Sequence, residues 1–421
     1  MSKGNVIVGQ SGGPTAVINS SLAGVFKTAM ERGFSRVYGM RNGIQGFLDE
    51  QYVDLSDHIK NELDLELLKR TPSAFLGTCR YKLPEIHEDK AVYERIFALL
   101  DKLEIDVFIY IGGNDSMDTI RKLSDYGLLT GEKQKIVGCP KTIDNDLAIT
   151  DHTPGFGSAA KYIATSTKEV ICDAMGFSYK KKNVTIIEIM GRNAGWLTGA
   201  AGLCSSEDCE GPDMIYLPEV VFDIEKFVES IQKLLEKKDV VVVAVSEGIK
   251  TADGRYVCEA AGATAKDAFG HIQMSGTASY LSNLIASKLG CKTRAVELST
   301  LQRSAAHLAS RVDVDEAFAV GGACIKAADE GSTGVMVVIE RVSDDPYQST
   351  TGVYDVHRIA NDEKVVPRNW INKAGNNVTE EFLDYVRPLI QGHYTPMMVE
   401  GLPRHLCLSL KNYDWINGKK K

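Results

Sequence analysis

The chain has no apolar run of about eighteen residues, so it offers no candidate membrane span. It also lacks a basic surplus: 48 Lys and Arg stand against 56 Asp and Glu, a formal net charge of −8. Such a balance cannot neutralise a nucleic-acid backbone, which excludes a nucleic-acid partner, and the terminal "KKK" reads as a solvated tail. There is no GxGxxG dinucleotide fingerprint and no GxxxxGK[ST] phosphate loop. Cysteine is sparse: nine residues, none in a CxxC pair. Cys204 and Cys209 lie closest, with no second pair to complete a zinc site. Reduced thiols of a cytoplasmic protein are expected. The opening "MSKGNVIVGQ" runs into a strand without the apolar segment of a signal peptide. Short-period repeats and low-complexity linkers are absent as well.

What remains is a chain of 421 residues with 44% hydrophobic and 25% charged residues, the profile of a soluble globular protein long enough for two domains. Apolar runs alternate with amphipathic, helix-length stretches, which predicts α/β layering with a mostly parallel sheet. "NVIVGQ", "VFIYIGG", "KIVGC", "VTIIEIM" and "VVVVAVSEG" read as strands. "PTAVINSSLAGVFKTAMERG" and "SAAKYIATSTKEVICDAM" read as helices, the first capped by Gly33. The ligand crevice of such a sheet lies beyond the carboxyl ends of its strands. Five polar or glycine-rich stretches fall there: "SGGPT", "GGNDS", "PKTIDND", "MGRNAG" and "SEG".

Each stretch has its own chemistry. In "SGGPT", Gly12 and Gly13 let backbone N–H groups and the next helix N-terminus meet an anion, although a tight strand-to-helix turn uses the same residues. "GGNDS" repeats the design with Asn114 and Asp115, where Asp115 can equally cap the helix. In "PKTIDND", Lys141 supplies a compact cation for a phosphate oxygen, and Thr142 a hydrogen bond. Asp144 can accept the proton of an attacking hydroxyl, and Asp146 can orient that base or hold metal-bound water. The bland alternative is a polar turn with a surface ion pair. Arg192 follows a strand with a fork suited to phosphate, and Glu247 offers a carboxylate to sugar hydroxyls. Arg303 and His307 stand four apart, on one face if the stretch is helical; Arg80 in "FLGTCRYKL" is ambiguous by itself.

The set "SGGPT", "GGNDS", "PKTIDND", "TPGFGSAAKYIA", "MGRNAGW", "SEG" and "LQRSAAHLAS" resembles the phosphofructokinase family in content and order, over about residues 5–325. The resemblance implies two similar Rossmann-like three-layer lobes with mostly parallel sheets and an active site in the cleft between them. One lobe, residues 1–150 with part of about 290–345, would hold the phosphoryl donor. The other, residues 151–290 with the C-terminal segment, would hold fructose 6-phosphate. The implied reaction is phosphoryl transfer to the 1-hydroxyl of fructose 6-phosphate with Mg2+, in a cytoplasmic homodimer or homotetramer.

Carried over by position, Asp144 matches the family's proton acceptor, with Thr142 and Ile143 in the same sugar-contacting stretch. Met190, Gly191 and Arg192 match the substrate-binding "MGR", and Glu247 the sugar-binding glutamate. Arg303, in a four-residue motif opened by Thr300, resembles the arginine that holds the 6-phosphate. Gly12 and Arg80 match donor-phosphate contacts. Asp115 and Lys141 stand where ATP-using members have glycines, and the pair resembles pyrophosphate-dependent members. Physically, the Asp115 carboxylate adds bulk and negative charge where a nucleotide would lie, and Lys141 adds a cation for departing phosphate. ATP use, or use of both donors, is the alternative; a non-catalytic regulatory subunit is a further one. Three positions depart from the pattern. Asn114 replaces an aspartate associated with magnesium. Asn183, beside Lys180, Lys181 and Lys182, replaces a substrate-binding arginine. Thr300 replaces a tyrosine. Beyond about residue 345 no motif is legible.

Overall fold

In the computed structural model, residues 3–177, 181–260, 262, 274–359 and 363–408 are described, together with the backbone of a short ribbon at 413–414 and 419–420. Lys180 lies outside the described residues. Two sheets form the framework. The first has seven strands in the order β11-β10-β5-β4-β1-β2-β3: β1 (Asn5–Gln10), β2 (Val37–Met40), β3 (Tyr52–Asp54), β4 (Ile105–Gly112), β5 (Lys135–Pro140), β10 (Val335–Asp344) and β11 (Tyr347–Asp355). Its five central strands are parallel, and β3 and β11 close the edges antiparallel. The second is a parallel sheet in the order β7-β8-β6-β9: β6 (Asn183–Ile189), β7 (Met214–Tyr216), β8 (Val240–Ser246) and β9 (Lys292–Glu297).

The strands read from continuous apolar runs are those covered by helices on both faces. Every residue of β1, β6 and β8 is buried, as parallel strands between helical layers require. The helix Ile18–Glu31 follows β1, and Gly33 closes it at φ +81° with its N–H on the Met30 carbonyl. The helix Phe156–Met175 crosses to the second sheet; its Phe156, Ala160 and Ile163 share a core with Ile187, Ile189 and Val242. Phe382, Val386 and Leu389 of the C-terminal segment enter that same core. The stretch 290–345 divides: β9 joins the second sheet, and the helix Arg311–Asp329 leads to β10 of the first. That helix lies on Ile18–Glu31, where Ser20 Oγ donates to the Val314 carbonyl at 2.7 Å. Among the described residues no helix is long and apolar enough to cross a membrane. All nine cysteines are free thiols, Cys204 and Cys209 included.

Candidate active site

The carboxyl ends of both sheets open on one cleft of about 860 Å³. On the first sheet, β1 ends in Ser11-Gly12-Gly13. Gly12 has φ +73°, and a β-carbon there would sit 3.3 Å from Lys141 Nζ; one on Gly13 would sit 3.3 Å from Arg303 Nη1. Two cations thus lie close against this turn, whose positive φ at Gly12 favours glycine. Lys141 Nζ donates to the Gly13 carbonyl at 2.7 Å. On the other side, Gly12 N–H donates to the Cys79 carbonyl (3.3 Å), and Thr78 Oγ1 donates to the Gly12 carbonyl (2.7 Å). This staple brings Arg80 into the cleft.

The second glycine turn follows β4. Gly113 occupies the cap of the helix Asn114–Thr130 and no side chain caps it, so Asp115 is not the cap its position allowed. Asp115 stands exposed in the first turn and lines the cleft beside Asn114. The Lys141 N–H donates to the Gly112 carbonyl at 3.0 Å, tying the exit of β5 to this turn.

After β5 the chain turns through "KTIDND". Asp144 N–H donates to Thr142 Oγ1 (3.0 Å), and Thr153 Oγ1 holds the Thr142 carbonyl (2.9 Å). Asn145 is fully buried at φ +54°, a conformation asparagine tolerates, and Asp144 and Asp146 on either side of it both line the cleft. Ile143 also lines the cleft and packs into the core of the second sheet. Burial raises Asp144 above the usual carboxylate range, opposed by Lys141 and Arg192. Burial and the neighbouring Asp144 charge push Asp146 up to about 7. Lys141 is 3% exposed; burial pushes it down to about 8 against the pull of both aspartates.

The second sheet contributes the opposite wall. Past β6, Met190 and Arg192 line the cleft, while Gly191, at φ +142°, shapes the turn from behind. Gly191 N–H donates to Glu247 Oε1 (3.4 Å), and Ser246 Oγ donates to the Gly191 carbonyl (2.5 Å). A β-carbon on Gly248 would lie 2.0 Å from the Arg192 carbonyl oxygen, so the "SEG" and "MGR" turns are in direct contact. Glu247 is pushed up to about 8 by burial and by Asp144. Arg303 reaches the cleft from the short helix Leu301–Ser304; burial and the nearby Arg80 lower it, and it remains a cation.

Fourteen of the residues singled out in the sequence thus meet in one cleft: Gly12, Gly13, Arg80, Asn114, Asp115, Lys141, Thr142, Ile143, Asp144, Asp146, Met190, Arg192, Glu247 and Arg303. Gly191 and Thr300 do not line it. Thr300 is exposed and supports its helix, its carbonyl accepting Ser304 Oγ at 2.9 Å. The expected shared face of Arg303 and His307 does not form: the helix ends at Ser304, Ala305 turns out of it at ψ 63°, and His307 is exposed. Asn183 begins β6 at the end away from the cleft, about 20 Å from Met190 at strand rise. Its position and those of Lys181 and Lys182 put them outside this cleft.

Sequence reading left two contributors without a role. Gln302, 1% exposed, accepts the Met190 N–H through Oε1 (3.2 Å) and so fixes the "MGR" turn; it lay in plain view within "LQRS". Glu363 lines the cleft from the C-terminal segment, where no motif announced it. Among the described residues, no group of three or more His, Cys, Asp or Glu could hold a metal ion by itself. Asn114 Oδ1 and Asp146 Oδ1 are, however, buried acceptors without a partner, both on cleft residues. Each bare oxygen suits a hard cation that keeps most of its coordination on phosphate and water.

Residues 5–298 match the model of the family described as phosphofructokinase. The chain belongs to the phosphofructokinase family. This phosphofructokinase is 43% identical over 414 residues to the pyrophosphate--fructose 6-phosphate 1-phosphotransferase of Xanthomonas campestris pv. campestris, across 98% of the chain and 97% of that relative. It is 40% identical to the enzyme of that name from Methylococcus capsulatus, across 97% of the chain and 96% of the relative. Its fold superposes on the crystal structure of pyrophosphate-dependent phosphofructokinase from Nitrosospira multiformis with a TM-score of 0.86, at 38% identity over 95% of each chain.

Proposed function

We propose that this phosphofructokinase transfers a phosphoryl group reversibly from pyrophosphate to the 1-hydroxyl of fructose 6-phosphate, giving fructose 1,6-bisphosphate. The observation that carries the donor is the pair Asp115 and Lys141: an exposed carboxylate at the cleft wall and a buried ammonium bonded to the first glycine turn. A nucleoside triphosphate would have to pass its α-phosphate and ribose beside that carboxylate, whereas a short double anion ends at the cation. The names carried by the relatives support the same donor. Asp144 in the cleft argues against a non-catalytic subunit.

In this reading fructose 6-phosphate lies against the second sheet. Glu247 and Met190 contact the sugar, Thr142 and Ile143 its 1-hydroxyl end, and Arg303 with Arg192 its phosphate. The lobe of residues 1–150 with part of 290–345 holds the donor, and that of 151–290 with the C-terminal segment holds the sugar. Gly12, Arg80 and Lys141 cradle pyrophosphate. Asp144 takes the proton of the 1-hydroxyl as the oxygen attacks phosphorus, and its burial-raised basicity suits that task. Lys141 and Arg80 stabilise charge on the phosphate that leaves. Asn114 and Asp146 are the residues that would hold Mg2+, which when bound neutralises charge on the pyrophosphate oxygens. Pyrophosphate and its products are of similar energy, hence the reversibility.

The protein works in the cytoplasm as a homodimer or homotetramer. Asn183, Lys181 and Lys182 sit at the far end of β6, so within this reading they hold neither substrate in this copy's cleft. Incubation of the purified protein with fructose 6-phosphate and Mg2+, with either pyrophosphate or ATP, tests the proposal. Formation of the bisphosphate with pyrophosphate supports it. Turnover with ATP and none with pyrophosphate contradicts it.

A further inference from the structure

The C-terminal segment returns beneath the "TIDND" loop. Glu363 pairs with Leu147 in an isolated antiparallel bridge, and the Lys364 N–H donates to the Asp146 carbonyl at 2.8 Å. The Lys364 side chain then runs under the loop. Its Nζ donates to the Asp151 carbonyl (2.6 Å), the Thr150 carbonyl (3.2 Å) and Asn145 Oδ1 (3.2 Å). An ammonium has three protons, and here three oxygens receive them. Trp196 covers the assembly: its ring centroid is 5.3 Å from Nζ, and its indole N–H donates to the Lys364 carbonyl at 2.9 Å.

Tyr385, on the helix Glu380–Val386, completes the support. Its hydroxyl accepts from Asn145 Nδ2 (3.1 Å) and donates to the Asp151 carbonyl (2.5 Å). Both ends of the Asn145 amide are thereby held by residues more than two hundred positions away in the chain. Asn145 is the one residue between the two cleft aspartates, and its positive φ sets the angle between them. Burying an ammonium is costly where an apolar side chain against Trp196 would not be. One of its hydrogen bonds reaches Asn145 in the reversal beside Asp144, and the other two tie that reversal to the Thr150 and Asp151 carbonyls further along the loop.

We infer that Lys364 and Tyr385 are positioning residues for phosphoryl transfer, fixing the Asn145 reversal so that Asp144 meets the attacking hydroxyl. The inference rests on Asp144 being the proton acceptor. Neither residue lines the cleft, so neither contributes to binding of sugar or donor. A loop displaced by a fraction of an ångström still binds both substrates but loses alignment in the transition state.

The test uses the full chain with Lys364→Met, Tyr385→Phe and Asp144→Ala, assayed at varied pyrophosphate and fructose 6-phosphate, with thermal unfolding measured in parallel. The expected result is a fall in kcat of about 10- to 100-fold for Lys364→Met and about 3- to 10-fold for Tyr385→Phe, with KM for both substrates within about threefold of wild type. In Lys364→Ala, added ethylammonium restores kcat at least severalfold, and it does nothing for Asp144→Ala. A folded variant of either residue with wild-type kcat overturns the inference, as does a loss confined to KM. Should Lys364→Met fail to fold, Tyr385→Phe, which keeps the ring and removes one hydroxyl, decides alone. Retained turnover in Asp144→Ala rejects the proton-acceptor assignment instead, whatever Lys364→Met does.

Discussion

The Lys141 ammonium donates a 2.7 Å hydrogen bond to the carbonyl oxygen of Gly13. This joins the end of β5 to the turn after β1 and leaves the remaining protons of the ammonium for a ligand. Glycine suits position 12 because its φ is +73° and a β-carbon there would lie a tight 3.3 Å from the same nitrogen. Lys141→Met keeps the stem and removes the charge. We predict that it lowers kcat with pyrophosphate by about 100- to 1000-fold, the usual scale for losing a preorganised charge in a transition state. Steady-state kinetics at saturating substrate checks this.

The same environment sets a pH window. Burial holds Asp144 above the usual carboxylate range and pushes Lys141 down to about 8. The base must be ionised and the cation protonated, so kcat/KM rises on the acid side as Asp144 deprotonates. It falls again as pH passes about 8 and Lys141 loses its proton, with Asp146, Arg80 and Arg303 as the charges surrounding it. Lys141→Arg, which stays charged, is expected to move the alkaline limb upward by more than one pH unit. An unmoved limb assigns it to another group.

Glu247 is pushed up to about 8, so in the empty cleft it carries a proton at neutral pH. A neutral carboxyl and an amide are near-isosteres. Glu247→Gln is therefore expected to change KM for fructose 6-phosphate by less than about threefold, while Glu247→Ala raises it about tenfold or more by removing the hydrogen-bonding group altogether. Equal losses in the two variants would show that the ionised form binds the sugar.

His152 tests the frame rather than the site. It is 1% exposed, between Asp151 Oδ2 (2.8 Å) and Glu316 Oε2 (2.7 Å), with Arg341 on Asp151 and Tyr347 on Glu316. Burial opposes its charge, yet Glu316 and Asp151 raise it to about 9. A raised histidine contributes stability that is fully present below the unfolded value near 6.5 and is lost as pH rises through about 9. His152→Gln removes the cation shared by the two carboxylates and leaves them Arg341, Tyr347 and Ser349. We expect it to cost about 3 kcal/mol near neutral pH, a deficit that shrinks toward pH 9. Thermal unfolding across that range measures both.

Much of the site was legible because its residues sit in short stretches directly after buried strands, where chain order and chemistry coincide. "SGGPT", "GGNDS", "TIDND", "MGR" and "SEG" each carry a glycine or charge immediately past an apolar run, and the fold brings all five to one cleft. Legibility failed where support is long-range. Glu363 and Lys364 belong to no strand and no motif, and only the return of the C-terminal segment places Glu363 at the cleft and Lys364 beneath the "TIDND" loop. It failed again at Ala305, where helical spacing carries on in the sequence but the backbone leaves the helix at ψ 63°. The edge strands escaped too: β11 alternates intermediate and exposed residues, and β3 is three residues long. Both lobes share a parallel core, but nothing local distinguishes a sheet of seven strands from one of four.

The most direct measurement is the donor preference of Asp115→Gly, alone and combined with Lys141→Gly. Initial rates with pyrophosphate and with ATP, both with Mg2+ and saturating fructose 6-phosphate, give the ratio. Removing the carboxylate opens the nucleotide path, and removing the cation weakens the diphosphate site. The expected result is a rise in ATP turnover with Asp115→Gly and a further shift toward ATP in the double variant. A ratio unchanged from wild type in both variants would contradict it.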